Sequence, residues 1–338
     1  MNKPLGVWFP AVRTNTGTDV FTERLVKGLN QRGIKAEIAW LPLRAEYAPW
    51  TVSIPQPPHW ATVVHVNTWL HSRFLPKYLP IVATLHHSIH DPALRPYKGW
   101  LRAAYHKYWI APNERRVLTR ASKVVAVSQF VADTTKETLV DVPMQVIYNG
   151  IDTKVYRPGS NVKKLHKPFR LLFVGSWMAR KGVDLLAPIM RKLGDDFELH
   201  YTGGAAAEKD KANMPKNMHD IGRLNGDAEV VSAMQNADAL LFPSRSEGHP
   251  LVAIEAMACG LPVVSMEGTS VVEVLKNGVN GYLCKRDNVS NFVTTIRNLK
   301  SAQEQYLIMA NAARTNAVES FSDQAMIDAS INLYEGLL

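Results

Sequence analysis

The sequence predicts an α/β protein built from two doubly wound, parallel-sheet domains. The chain has 338 residues, enough for two domains of ordinary size. In both halves short apolar runs alternate with helical segments, the rhythm that lays parallel strands side by side. A polar, proline-bounded stretch at 157–168 separates the halves as a linker would.

In the first half, apolar runs suited to buried strands fall at 5–9, 34–40, 62–67, 81–85, 123–127 and 145–148. Helical spacing falls at 19–32, 98–120 and 130–139. Thr18 suits the N-cap of the first helix and Gly33 its end. From Phe169 a second set begins. Strands are predicted at 170–174, 198–201, 239–242, 263–265 and 281–284, with helices at 183–193, 227–236, 252–259 and 289–299. The tail, 322–338, has a helical pattern. The domains are thus 1–160 and 161–321, followed by this C-terminal helix.

Composition is that of a globular protein. The opening run Leu5–Phe9 is too short for a signal-peptide core, and no apolar stretch reaches the ~18 residues of a membrane span. Cys259 and Cys284 make no metal or redox spacing and fit a reducing cytoplasm. The formal charge of +9 is uneven. Residues 1–160 hold 20 Lys and Arg against 10 Asp and Glu, so the excess lies in the first half. That predicts an anionic partner for this half. No nucleic-acid motif is present, so nucleic acid is not the expected partner. An anionic membrane leaflet, met peripherally, fits better. Residues 98–120 mix Trp100, Tyr105, Tyr108 and Trp109 with Arg102, Lys107, Arg115 and Arg116. They read either as an ordinary helix with one core face or as an interfacial patch.

Ligands of open α/β sheets bind at the carboxyl ends of the strands. In the first half those positions hold Asn15-Thr16-Gly17, Asn67, His86-His87 and Ser128. In the second they hold 175–181, Gly203-Gly204, 244–247 and Glu267-Gly268. Two such edges facing each other would make a cleft for a donor and an acceptor. His86 and His87 do not make a zinc site, because adjacent histidines diverge and no Cys or further ligand completes the set.

The densest signal is Pro243-Ser-Arg-Ser-Glu247-Gly248-His249-Pro250-Leu251, running on to Glu255, Gly260 and Pro262. A buried strand leads into a loop, Pro250 suits a first helical turn, and Gly260 with Pro262 stops the helix. The N–H groups and dipole of that helix start favour an anion. A carboxylate beside an anion site needs its own partner, and sugar hydroxyls supply one. The loop therefore suits a ligand carrying both hydroxyls and phosphate.

With Glu247 and Glu255 in an E-x7-E pattern inside EGHPLVAIEAMACGLPVV, the chain resembles retaining, nucleotide-sugar-dependent glycosyltransferases of family 4, with the GT-B fold. The resemblance implies two Rossmann-like domains facing a central cleft and a tail helix returning to the first domain. It implies hexosyl transfer from a nucleoside diphosphate sugar to a glycan or lipid-linked acceptor, as in bacterial cell-surface polysaccharide or lipopolysaccharide synthesis. Configuration is retained, and neither a metal nor a cofactor beyond the donor co-substrate is expected. Glu247 would hold sugar hydroxyls and Glu255 the ribose. Lys181 and Arg180, in the loop from Gly175, would meet the diphosphate; Ser176 stands where many members carry arginine. His86 would contact the transferred sugar, and Gly17 would let backbone approach the ligand. Gly203 and Gly204 would approach the nucleotide, while Arg223 and Leu224 would line the base. Gly248, His249, Pro250 and Leu251 complete the donor set. Two other functions fit part of this pattern: a nucleotide-sugar epimerase of the same architecture, and a non-catalytic sugar-binding protein.

Overall fold

The computed structural model describes residues 4–160 and 164–338, which form two compact units: 4–150 with 323–338, and 151–322. Each unit is built on a six-stranded, wholly parallel sheet.

The first sheet has β1 (Gly6–Val12), β2 (Lys35–Leu41), β3 (Val63–Asn67), β4 (Ile81–Leu85), β5 (Lys123–Ala126) and β6 (Met144–Val146), in spatial order β2-β1-β3-β4-β5-β6. Its helices are α1 (Gly17–Gln31), α2 (Arg44–Tyr47), α3 (Trp100–Tyr105), α4 (Ala111–Arg120) and α5 (Gln129–Thr138). The central strands are buried on both faces, as parallel strands flanked by helices must be. On one face Val7, Phe9, Leu25 and Leu29 pack with Met326, Ile327, Leu333 and Tyr334 of the C-terminal helix. On the other, Trp8, Val64, Phe74 and Val117 form a second layer.

The second sheet has β7 (Phe169–Phe173), β8 (Phe197–Tyr201), β9 (Met218–Asp220), β10 (Ala239–Phe242), β11 (Val263–Met266) and β12 (Gly281–Cys284), in order β12-β11-β10-β7-β8-β9. With it go α6 (Val183–Leu193), α7 (Glu208–Lys211), α8 (Asp227–Gln235), α9 (Leu251–Ala258), α10 (Val271–Val274), α11 (Val289–Ser301) and α12 (Gln303–Ser320). Its core joins Phe169, Leu171 and Phe173 to Leu186, Ile189 and Ile296.

The tail helix, α13 (Asp323–Glu335), belongs to the first unit. It lies so close to α1 that a Cβ on Gly28 would stand 2.1 Å from Ile327 Cδ1. Glycine is required there by contact. Arg32 reaches Asp328 at 2.6 Å across the same seam, and buried Tyr334 hydrogen-bonds His65 Nδ1 at 2.5 Å. Burying Ile327 and Leu333 contributes about 1.5–3 kcal/mol each.

The structure corrects several expectations. The segment 98–120 is not one regular helix: a π-helical turn, His106–Ile110, separates α3 from α4. Pro112 explains it, since proline offers no N–H to the carbonyl four residues back, and the helix widens to accommodate this. The first N-cap is Thr16 rather than Thr18. The chain leaves the first unit at Gly150, before the expected linker, because 151–157 is tied into the second unit. Ile151 N–H donates to Phe321 O at 3.0 Å, and Arg314 donates to the carbonyls of Thr153 and Tyr156. Part of the linker, 161–163, lies outside the described residues.

Both sheets have a switch point where the chain reverses its direction of building. In the second unit it falls between β7 and β10, and in the first between β1 and β3. Crevices at the carboxyl ends of such strands are where open α/β sheets hold ligands.

Candidate active site

At the switch point of the second unit, β7 delivers the loop 174–182 and β10 delivers 243–250. Lys181 ends a short 3-10 turn, Ala179–Lys181. Its Nζ lies 2.6 Å from Glu247 Oε1, which also accepts from Ser244 Oγ at 2.5 Å. Arg180 Nη1 donates to Ser246 O at 2.5 Å. Glu247 is only 7 % exposed. Burial alone pushes its carboxyl up, but the charge and hydrogen bond of Lys181, the Ser244 hydroxyl and the Arg180 charge outweigh burial and hold it below the usual carboxylate range. The site thus keeps an ionised carboxylate and two cations side by side.

Two residues with no ligand role in the sequence reading build this arrangement. Gly182 has φ +74°, and a Cβ there would lie 2.0 Å from Pro243 O, so only glycine lets the two loops meet. Arg245, 6 % exposed, forks onto Asp184 at 2.6 and 2.7 Å and onto Asp287 at 2.7 Å. It also donates to Ala179 O, while its own N–H meets Arg180 O at 2.9 Å. The hydrogen bonds to Asp184 and Asp287 lock the guanidinium in its charged form against the cost of burial. Arg245 therefore clamps the turn that presents Arg180 and Lys181. Only the family of contacts, spread over 179–287, reveals it.

The helix start differs from expectation. Pro250 caps α9 instead of entering its first turn, and its carbonyl accepts from Ala253 and Ile254 at 3.0 and 3.2 Å. Leu251 N–H is turned to His249 O at 3.0 Å. Several N–H groups expected to meet an anion are thus engaged within the turn. Gly248 and Pro250 are buried. His249 is buried against Phe321, 5.6 Å between rings, and burial pushes its pKa down to about 3. Glu255 is half-buried on the second turn of α9; burial and the Glu255 charge together raise the Cys259 thiol to about 12.

Gly175 is held by Thr202, whose hydroxyl accepts Gly175 N–H at 3.0 Å and donates to Gly175 O at 3.1 Å. Gly203 and Gly204 are not open to a nucleotide through their N–H groups. Both donate to Asp220, at 3.0 and 3.1 Å, together with Gly222 N–H at 2.9 Å. Burial pushes the Asp220 carboxyl up, but these three N–H groups and Lys211 hold it below the usual range. Arg223 is exposed, and Leu224 lines a cavity of about 450 Å³ with Ile221 and Leu172. This cavity runs along α8 as far as Arg170, at the start of β7, so it follows the sheet face rather than the strand ends.

In the first unit, Gly17 opens α1, and a Cβ added there would meet nothing within 4 Å. The preceding loop is fixed by buried Asp19, which accepts Thr14 N–H at 2.9 Å and Asn15 N–H at 2.7 Å. His86 follows β4 and lies 2.8 Å from Asn67 Oδ1 through Nε2, with Phe21 edge-on at 4.6 Å. The amide oxygen only accepts, so Nε2 carries the proton. Burial pushes the His86 pKa down to about 4, leaving a neutral ring at neutral pH.

The sequence profile of glycosyl transferases group 1 matches residues 160–316, and that of glycosyltransferase family 4 matches 56–155. An uncharacterised glycosyltransferase of Methanocaldococcus jannaschii is 30% identical over 190 residues, 55% of this chain and 52% of that protein. N-acetyl-alpha-D-glucosaminyl L-malate synthase of Bacillus anthracis is 25% identical over 233 residues, 65% of this chain and 61% of that one. The match thus spans about half of the first relative's length. Among solved structures, sucrose-phosphate synthase from Thermosynechococcus elongatus matches with a TM-score of 0.79 at 15% identity, covering 98% of this chain and 99% of that one. HepE of Anabaena, in complex with UDP and glucose, matches with a TM-score of 0.75 at 16% identity, covering 98% and 100%.

Proposed function

Because the chain belongs to the family-4-like glycosyltransferases of GT-B fold, we propose that it moves a hexose from a nucleoside diphosphate sugar to a hydroxyl of a glycan or lipid-linked acceptor, with retained configuration. The observation that carries this is the Lys181–Glu247 pair, with Arg180, at the switch point of the second sheet. A donor of this class has a diphosphate and a sugar diol one bond apart, and the pair sets a cation beside a carboxylate.

In this reading Lys181 and Arg180 stabilise the charge that builds on the departing diphosphate. Glu247 accepts hydrogen bonds from sugar hydroxyls as Lys181 turns to the phosphates. Glu255 takes the ribose, and His86 the sugar. The bond between C1 and the phosphate oxygen breaks as the acceptor oxygen bonds C1. The acceptor proton passes to a donor phosphate oxygen on the same face. Two side-chain cations supply the countercharge, so no metal is invoked. The UDP and glucose held by HepE make UDP-glucose the first donor to try.

The test is release of nucleoside diphosphate from UDP-, GDP- and ADP-sugars, with and without glycan acceptors and with a chelator. Release that needs an acceptor and survives chelation is expected. Release without acceptor would favour the epimerase, and no release from any donor would remove both enzymes.

A second reading concerns location. Among the described residues no helix is long and apolar enough to cross a membrane. Trp100 and Tyr108, 78% and 72% exposed, flank Arg102 and Lys107 in the first unit. We infer that this face rests on an anionic leaflet at the cytoplasmic surface, with rings at headgroup depth. Sedimentation with anionic vesicles should exceed that with neutral vesicles and weaken with salt; equal binding to both would remove the reading.

A further inference from the structure

Behind the loop that carries His86, the first unit holds a cavity of about 660 Å³. Its floor is the turn Ile89-His90-Asp91, its roof the π-helical turn, and its far wall Arg115 of α4 with the end of α5. We propose that this cavity is a binding site for a phosphoryl group, and that the group belongs to the acceptor. Naming the acceptor rests on the transferase reading; the cavity's preference for a phosphoryl anion does not.

Charge carries the proposal. Arg95, Lys98, Lys107 and Arg115 line the cavity with His90 and His106, against one lining carboxylate, Asp91. Asp91 is already occupied in part, since Oδ1 accepts Ala93 N–H at 2.8 Å. The nearby Glu114 carboxylate is buried and committed to Thr68 at 2.6 Å and His90 at 3.0 Å. Two of the cations bond carbonyls: Lys98 donates to Ile89 O, and Arg115 donates to Leu139 O at 3.1 and 3.2 Å through two nitrogens. A carbonyl satisfies a donor without neutralising its charge. Lys98 and Arg115 thus keep their charge with a carbonyl as hydrogen-bond partner. Burial first, then Asp91 in opposition and Arg102 in support, leaves the Lys98 pKa lowered. Burial, Lys98, Arg102 and His90 push His106 down to about 4. An anion supplies the countercharge that this lining lacks, whereas a neutral sugar does not.

Shape points the same way. The widened turn shifts the helix register by about one residue, ~100° of rotation, and His106 and Lys107 both line the cavity. Nδ1 of His106 is buried with no hydrogen-bond partner within the protein. The volume exceeds a bare phosphate and suits a phosphorylated sugar or a diphosphate on a longer tail.

The test reads the two cavity histidines by nitrogen-edited NMR while inorganic phosphate or pyrophosphate is added at constant ionic strength. Anion captured in the second unit leaves these rings unmoved, so the readout is local. We expect saturable shifts of His90 and His106 and a rise in the His106 pKa. Lys98→Gln with Arg115→Gln should weaken binding about tenfold or more, the scale of a lost charge-assisted hydrogen bond. The exposed Lys107→Gln, which carries no fold risk, should weaken it in the same direction. Stabilisation by UDP should be untouched in all variants. Vesicles bearing a phosphomonoester headgroup, set against soluble glucose 1-phosphate, then identify a lipid-borne or a soluble source. Unmoved histidines, or equal shifts with chloride, overturn the cavity. If UDP, GDP and ADP all fail to stabilise the protein while phosphate still moves His106, the transferase reading falls and the anion site stands.

Discussion

Lys181 Nζ lies 2.6 Å from Glu247 Oε1, so the cation expected to meet a diphosphate and the carboxylate expected to meet a sugar neutralise each other. The pair removes the cost of leaving either charge alone in a largely buried place. Under the proposed function a donor would bind by exchange: phosphate would draw Lys181, and sugar hydroxyls would replace it on Glu247. The pair that would recognise the donor also ties the loop after β7 to the loop after β10.

Glu247→Gln should keep the fold and lose most turnover. The amide still hydrogen-bonds Ser244, but it accepts sugar hydroxyls more weakly than a carboxylate. A loss of ~2–3 kcal/mol in transition-state binding is about a hundredfold in kcat/KM. Steady-state kinetics with an unchanged kcat/KM would remove Glu247 from the reaction.

Gly182→Ala should destabilise the protein by about 1–3 kcal/mol or more, since the φ of +74° and the contact with Pro243 O both oppose a methyl group. Urea unfolding measures it. A midpoint equal to that of the parent protein would show that the two loops are looser than their contact implies.

Arg245→Lys should weaken nucleoside diphosphate binding without touching the ligand. Lysine cannot fork onto Asp184 and Asp287 together, so the turn bearing Arg180 and Lys181 loses its clamp. Donor KM should rise more than kcat falls. Equal donor affinity in both proteins would reduce Arg245 to a stability role.

Stability should fall with acid from about pH 6.5 downward. Burial pushes His65 down to about 3, with the nearby His86 adding to it. Burial likewise holds His86 at about 4 and His249 at about 3. Their unfolded counterparts take up protons near 6.5, so the unfolded state binds more protons between that pH and the folded values. The contribution is complete above 6.5 and is lost as pH falls toward 3–4, at up to about 1.4 kcal/mol per pH unit for each ring. Glu247, held below its ordinary value, adds a loss only under pH 4.5. Urea midpoints that stay level between pH 7.5 and 5 would contradict neutral burial of these rings.

The central strands were legible in the sequence because buried parallel strands are continuous apolar runs. β9 was not: Met218-His219-Asp220 offers one apolar residue and gains its place from pairing with β8. α12 was missed for a related reason. Its buried residues, Tyr306, Met309, Ala313 and Ala317, make a narrow stripe on a polar helix, so tertiary contact supports it more than periodicity does. In the candidate site, Glu247 and Lys181 were legible as chemistry near strand ends, though not as partners. Arg245, Gly182 and Asp220 act through residues far away in sequence, and nothing local marks them. Gly203 and Gly204 show the same limit: the sequence marks a close backbone approach there, but not that Asp220 takes both N–H groups.

The most direct test of the central claim is calorimetry of Lys181→Ala against the parent protein, with a nucleoside diphosphate and with the bare nucleoside. A cation that serves the phosphates should matter only when phosphates are present. The account predicts that the diphosphate loses about tenfold or more in affinity, while the nucleoside binds as before. Equal weakening of both ligands, or of neither, would contradict it.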